Sequence, residues 1–125
     1  MSIESILRTV EKLEPYSKGD VIFREGETGD VMYVVAEGKL DIKIRDRIIE
    51  TVEVGGIVGE MSLIDEKERS ATVVAATDCK LVRINKRLFG VLVREIPSFS
   101  LDVMRVMADR IRRIDEFIRS LDENA

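Results

Sequence analysis

The sequence predicts a mainly β chain with flanking helices: an antiparallel barrel or sandwich, preceded by one short helix and followed by two. Between Lys18 and Lys86 the texture is one of short β-branched runs. Glycines separate those runs at close intervals, and after residue 85 the apolar period turns helical and stays so to Leu121. At 125 residues, with 45% hydrophobic and 35% charged side chains, the chain suits one packed domain and is too small for a two-domain enzyme.

Each element has its own signal. Ile3, Ile6, Leu7, Val10 and Leu13 recur at three- and four-residue steps behind Ser2, a helix-capping type, so a helix is expected over 2–13 with Pro15 closing it. Strand-like runs follow: VIF at 21–23, VMYVV at 31–35, KLDIKIR at 39–45, IIETVEV at 48–54, SATVVAA at 70–76 and KLVRI at 80–84. In 39–45, Leu40, Ile42 and Ile44 alternate with Lys39, Asp41, Lys43 and Arg45, so one face points inward and the other meets water. Gly19, Gly26, Gly29, Gly38 and the Gly55-Gly56 pair are each expected at positive φ in a sharp turn. Arg45-Asp46-Arg47 has no apolar side chain and reads either as a hairpin tip or as a slightly longer connection.

Leu88, Phe89, Leu92 and Val93 mark a short helix ending near Ile96, and Pro97 opens a last helix with no glycine or proline from Ser98 to Leu121. On it Met107, Ile114 and Leu121 form one apolar stripe and Met104, Ile111 and Ile118 another, widened by Val103, Val106 and Phe117. One stripe is expected to dock on the barrel. Either both pack into the same core, or the second meets another copy of the chain.

Composition removes several function classes. Twenty basic against twenty-four acidic residues, net −4, argue against a general polyanion surface, so any anion site must be local. The single cysteine, Cys79, cannot form an intramolecular disulfide, and the absence of histidine removes imidazole catalysis and imidazole metal ligation. No stretch reaches the roughly 18 apolar residues of a membrane span, and a cytoplasmic, non-membrane protein is expected.

The stretch that carries chemistry runs from Gly55 to Ile64, followed by Arg69-Ser70-Ala71-Thr72. Gly59 permits a sharp turn from a strand into a short helical piece whose first amides point outward unpaired. Such an N-terminus concentrates positive potential, and Arg69 adds a planar fork suited to two phosphate oxygens. Glu60 has two readings. It accepts a hydrogen bond from a sugar hydroxyl beside that anion, or it pairs with Arg69 as a structural ion pair.

The run GEMSLIDEKERSATV at 59–73 resembles the phosphate-binding cassette of cyclic nucleotide-binding domains: Gly-Glu, a small helix, then Arg, a small residue and Ala. Upstream, Gly19-Asp20-Val21-Ile22-Phe23, Glu25-Gly26, Gly29-Asp30, Met32-Tyr33-Val34-Val35 and Gly38 resemble the opening strands of the same family, and the terminal helices resemble its closing ones. The resemblance implies an eight-stranded antiparallel jelly-roll β-barrel over about 16–86 with C-terminal helices over about 86–122, in one domain spanning 1–125.

It further implies that Glu60 accepts the ribose 2′-hydroxyl and Arg69 pairs with the cyclic phosphate. The amides of Ser62 and Ser70 donate to that phosphate, while Met61 and Ala71 shape the loop after Gly59. Ile42 and Ile49 look like apolar walls for the base, with Val58 where an aromatic residue is common. Arg110 and Ile114 stand at positions resembling those that cover the base, Ile114 in place of a hydroxyl residue of the catabolite activator branch. For Ile42, Ile49 and Ile114, plain core packing is the other reading.

The ligand implied is cyclic AMP ahead of cyclic GMP, although Ser70 also suits the amino group of a syn guanine. No further cofactor and no metal is implied. The expectation is a non-catalytic sensor whose final helix closes over the base and signals to a second copy or to an effector protein. A jelly-roll interaction or dimerisation module that binds no nucleotide is the alternative. A cyclic nucleotide hydrolase is disfavoured by the missing histidines. The DNA-reading helix-turn-helix that follows the final helix in the activator branch has no counterpart before Ala125, so direct DNA binding is not expected.

Overall fold

A computed structural model describes residues 12–123 of the chain. Eight strands are found among them: β1 (Leu13–Tyr16), β2 (Val21–Phe23), β3 (Val31–Glu37), β4 (Leu40–Ile44), β5 (Arg47–Val52), β6 (Ile57–Val58), β7 (Thr72–Ala75) and β8 (Cys79–Asn85). Three helices accompany them: α1 (Glu60–Asp65), α2 (Lys86–Glu95) and α3 (Pro97–Glu123). The strands pair antiparallel in two four-stranded sheets, β1-β8-β3-β6 and β2-β7-β4-β5.

β3 shows how sequence and position match. Its run VMYVVA is buried on both faces: Val31, Tyr33 and Val35 lie in the core cluster and Met32, Val34 and Ala36, on the opposite face, are buried as well, while β8 and β6 pair with its two edges. β4 keeps the expected alternation through Lys43, with Leu40 and Ile42 buried and Asp41 and Lys43 partly in water, but Ile44, expected on the inward face, is 41% exposed beyond a register shift at Ile42/Lys43. Val35, Leu81 and Tyr33 from the first sheet and Leu40, Val73 and Ala75 from the second share one hydrophobic cluster. The sheets therefore close on a common interior, where each fully buried Leu or Val contributes roughly 1.5–3 kcal/mol. Every ladder stays within its own sheet, so the described strands form two facing four-stranded antiparallel sheets, the sandwich form of the barrel or sandwich expected from the sequence.

Several boundaries differ from the sequence expectation. Leu13, expected to end a helix, begins β1, and Pro15 sits inside that strand opposite Lys80. β1 is a sheet edge, where the missing proline N–H costs no ladder bond. The rest of the expected N-terminal helix, 2–11, lies outside the described residues. The β4–β5 connection is only Arg45-Asp46, since Arg47 already pairs with Ile44, and Arg45 takes the left-handed conformation at φ 58°. β6 has two residues, too few to show in a periodicity scan. Gly19, Gly26, Gly38, Gly55 and Gly59 have positive φ, but Gly29 and Gly56 do not. Those two are small because neighbouring side chains occupy the space, that of Val52 in the case of Gly56.

The described chain falls into two compact units, one through Gly90 and the other from Val91. In the second, Ile96 N donates to Leu92 O at 2.8 Å and Phe99 N to Ile96 O at 2.9 Å, carrying the chain past Pro97. Phe99 and Val103 are buried, whereas Met104, Ile111, Ile114, Phe117, Ile118 and Leu121 are each more than half exposed. Both stripes of α3 thus carry exposed apolar side chains, Met104, Ile111 and Ile118 on one and Ile114 and Leu121 on the other, with Met107 half-buried. No helix of the described residues is long and apolar enough to cross a membrane.

Candidate functional site

The site is built where the β2–β3 loop, the start of α1 and the segment before β7 meet. Gly59 ends β6 and caps α1 with φ 81°, ψ 7°, a left-handed turn that glycine takes without a Cβ penalty. No side chain caps α1, so the first amides of that helix lack the usual hydroxyl or carboxylate partner at the cap. Glu60 is the first helical residue and is 2% exposed, with Ser62 buried behind it and Met61 exposed. At the far end Glu66 takes φ 60° and donates its N–H to Ser62 O at 3.0 Å, while its carboxylate pairs with Lys86.

Arg69 is fixed first through its backbone. Its N–H donates to Glu27 O at 2.8 Å, its carbonyl accepts from Gly26 N at 2.8 Å, and Glu25 N donates to Thr72 Oγ1 at 3.0 Å. The 25–27 loop therefore pins the segment that carries the arginine. The side chain then turns inward to 5% exposure. Nη1 donates to Gly59 O at 3.1 Å and Nη2 to Val31 O at 2.8 Å, so the guanidinium bridges β3 and the α1 cap. Its Cζ lies 4.0 Å from the centre of the Phe23 ring, which in turn stacks with Tyr33 at 6.4 Å and 23°.

Electrostatically this is a buried cation. Burial pushes the Arg69 guanidinium below its ordinary value, and Tyr33, Asp30, Glu27 and Glu60, in that order, oppose the shift. A guanidinium stays protonated all the same. Among the described residues, the two N–H groups that reach protein acceptors go to main-chain carbonyls, with Glu60 acting on the guanidinium as a neighbouring charge. Nε is buried and has no hydrogen-bond partner among the described residues. A charged group with donors to spare, beside a helix start without a side-chain cap, suits an anion with several acceptor oxygens. A phosphodiester has that chemistry.

Of the residues singled out from sequence, the structure brings Gly59, Glu60, Ser62 and Arg69 into one neighbourhood. Ser70, exposed, and Ala71, buried, follow Arg69 on the chain. Ile42 and Val58 are core residues at 7% and 1% exposure, whereas Ile49 is 47% exposed on β5. Arg110 and Ile114 lie on α3 in the second unit, Ile114 exposed. Sequence reasoning missed Phe23, Gly29 and the Val31 carbonyl. The sequence presents Phe23 in a short strand and Gly29 in a turn, both within the run that resembles the family's opening strands, and points to no contact of either with Arg69. The signal was there in the scarcity of aromatics, 5% of the chain, which makes each aromatic beside a glycine-rich loop worth placing.

Comparison with known proteins follows the same lines. The family model described as "Cyclic nucleotide-binding domain" matches residues 13–95. The chain is 33% identical over 105 residues to the cyclic AMP receptor protein of Thermus thermophilus, covering 80% of this chain and 49% of that protein. It is 26% identical over 100 residues to a cGMP-dependent protein kinase of Plasmodium berghei, covering 80% of this chain and 12% of the kinase. The crystal structure of the Thermus thermophilus catabolite activator protein superposes with a TM-score of 0.80 at 29% identity, over 94% of this chain and 58% of that one. This chain thus spans about half, or less, of the curated relatives it matches. With the family model covering both sheets, α1 and α2, the chain belongs to the cyclic nucleotide-binding domain family.

Proposed function

We propose that this chain is a non-catalytic, cytoplasmic sensor module that captures a cyclic mononucleotide, cyclic AMP ahead of cyclic GMP. The observation that carries the reading is Arg69: a buried guanidinium, held by two carbonyls, whose Nε has no hydrogen-bond partner among the described residues, next to the α1 start at Gly59 that has no side-chain cap. In this reading Arg69 neutralises the cyclic phosphate, the Ser62 and Ser70 amides donate to it, and Glu60 accepts the ribose 2′-hydroxyl. Met61 and Ala71 shape the cassette around them. The base lies against Ile49, with Ile42 and Val58 as the apolar layer behind, and Arg110 and Ile114 of α3 cover it. Relatives named for cyclic AMP and for cyclic GMP both match, so preference for one base rests on this site's own side chains.

The domain is proposed to extend over 1–125 as a single functional unit, with α3 as lid and output. The strand order of the two sheets is the one expected of an eight-stranded jelly roll and supports that architecture. Nucleotide shifts the equilibrium only to the extent that it binds the closed arrangement more tightly. The partner proposed for the output is a second copy of the chain. Met104, Ile111 and Ile118 fall at one heptad position and Met107, Ile114 and Leu121 at the other. A parallel, in-register pair would set Arg110 of one chain opposite Asp115 of the other, an attractive flanking pair. The alternative, a dimerisation module that binds no nucleotide, keeps α3 and discards the cassette.

Calorimetry separates the two. The sensor reading expects saturable heat with cyclic AMP or cyclic GMP, and a Glu60→Gln variant that loses affinity for ribonucleotides while binding 2′-deoxy analogues as the parent does. No heat with either nucleotide at any workable concentration refutes the sensor and leaves the dimerisation module.

A further inference from the structure

Arginine is a long side chain with roughly 2 kcal/mol of rotamer entropy, so an arginine that must meet a phosphate in one geometry gains from being held there beforehand. Two residues outside the cassette hold Arg69. The Phe23 ring lies 4.0 Å from Cζ, and the backbone of Gly29 lies so close that a Cβ built on it would overlap Nε, Cζ and Nη2 of the guanidinium. Gly29 does not have positive φ, so its backbone conformation is open to other residues; glycine is required there for space alone. Phe23 has a second anchor, since its ring stacks with Tyr33 of β3 and packs on the core cluster.

We propose that Phe23 and Gly29 are positioning residues for the phosphate anchor: the ring and the bare backbone clamp the Arg69 guanidinium, so that the cassette is ordered before nucleotide arrives. This rests on the nucleotide-binding reading above and adds the β2–β3 loop to the determinants of affinity, although neither residue is assigned a contact with the ligand. Phe23 acts through its π face as well as its volume, so methionine, similar in size but without a ring, is no substitute. Tyrosine keeps the face.

The test measures two quantities on the same proteins: cyclic AMP affinity by calorimetry, and solvent exchange of the Arg69 Nε–H by nitrogen-15 NMR without ligand. The parent should show a protected Nε–H. Phe23→Met should lose that protection and weaken cyclic AMP about three- to thirty-fold, the span of an exposed to a desolvated cation–π contact. Gly29→Ala should do both by at least as much, and Phe23→Tyr should restore parental values. Phe23→Met and Gly29→Ala with parental affinity overturn the proposal, whatever happens to the exchange rate. So does a Phe23→Tyr variant as weak as Phe23→Met. A parent that binds neither cyclic AMP nor cyclic GMP instead refutes the nucleotide-binding reading, and this inference falls with it; a parent that binds while the variants are unaffected refutes the clamp alone.

Discussion

Arg69 carries its charge at 5% exposure with Nε unpartnered among the described residues, an arrangement that costs stability unless the two carbonyl bonds and the Phe23 contact offset it. From sequence, replacing it with alanine should cost binding and leave the fold nearly untouched. The structure changes that expectation, because Arg69→Ala also removes one donor each from Val31 O and Gly59 O. The variant should lose nucleotide binding by calorimetry and about 1–3 kcal/mol of stability by urea unfolding; a stability equal to the parent's refutes the structural half. Cys79 offers a second test that needs no ligand. Burial first, then the charges of Asp20 and Asp78, push its thiol up. The folded thiol resists ionising while the unfolded one does not, so this contribution is whole below the ordinary thiol value of about 8.5 and is lost as pH rises above it. Between pH 7 and 9.5 the urea midpoint should fall more steeply in the parent than in Cys79→Ala, and parallel slopes would remove the thiol from the account.

Among the elements, α1 and α3 behave in opposite ways. α1 has six residues, far below the length at which a helix holds in isolation, and exists because Glu60, Ser62 and Leu63 are buried and Gly59 sets its entry. α3 has 27 residues, has no glycine or proline after Pro97, and runs on well past Val103, its last fully buried residue. That leaves six large apolar side chains, from Met104 to Leu121, more than half in water. The proposed pairing predicts a concentration-dependent dimer by analytical ultracentrifugation. Ile111→Lys, a charge placed at a central seam position, should shift it to monomer with little change in the melting of the sheets. A variant that dimerises like the parent would place the contact elsewhere.

For the molecule as a whole, the two sheets share one interior, and the cassette hangs from both of them. Arg69 reaches β3 of the first sheet through Val31 O and lies over Phe23 of β2 in the second. A ligand that engages Arg69 should therefore stabilise the sheets and not merely the loop. Cyclic AMP at a hundredfold excess over its dissociation constant should add about 2.7 kcal/mol to unfolding free energy, seen as a rise in melting temperature. Absence of any rise in a protein that demonstrably binds would mean that the unfolded chain binds as well, or that the cassette is uncoupled from the core.

Much of this was legible in the amino acids. The strand run 31–35, the alternation through Leu40 and Ile42 and the break at Pro97 rest on local chemistry, periodicity and φ preference, while the Gly59-Glu60 to Arg69-Ser70-Ala71 run was legible as a resemblance to a family's cassette. What lay beyond reach depended on partners distant in the chain. Pro15 became a strand residue because β8, more than sixty positions later, offered it an edge. Gly29 proved to be a matter of space because Arg69, forty positions on, fills the volume its Cβ would need. Local sequence encodes which conformations a segment prefers; which neighbour it meets, and hence whether a buried charge is clamped or an apolar stripe left open, is set by how the segments pack.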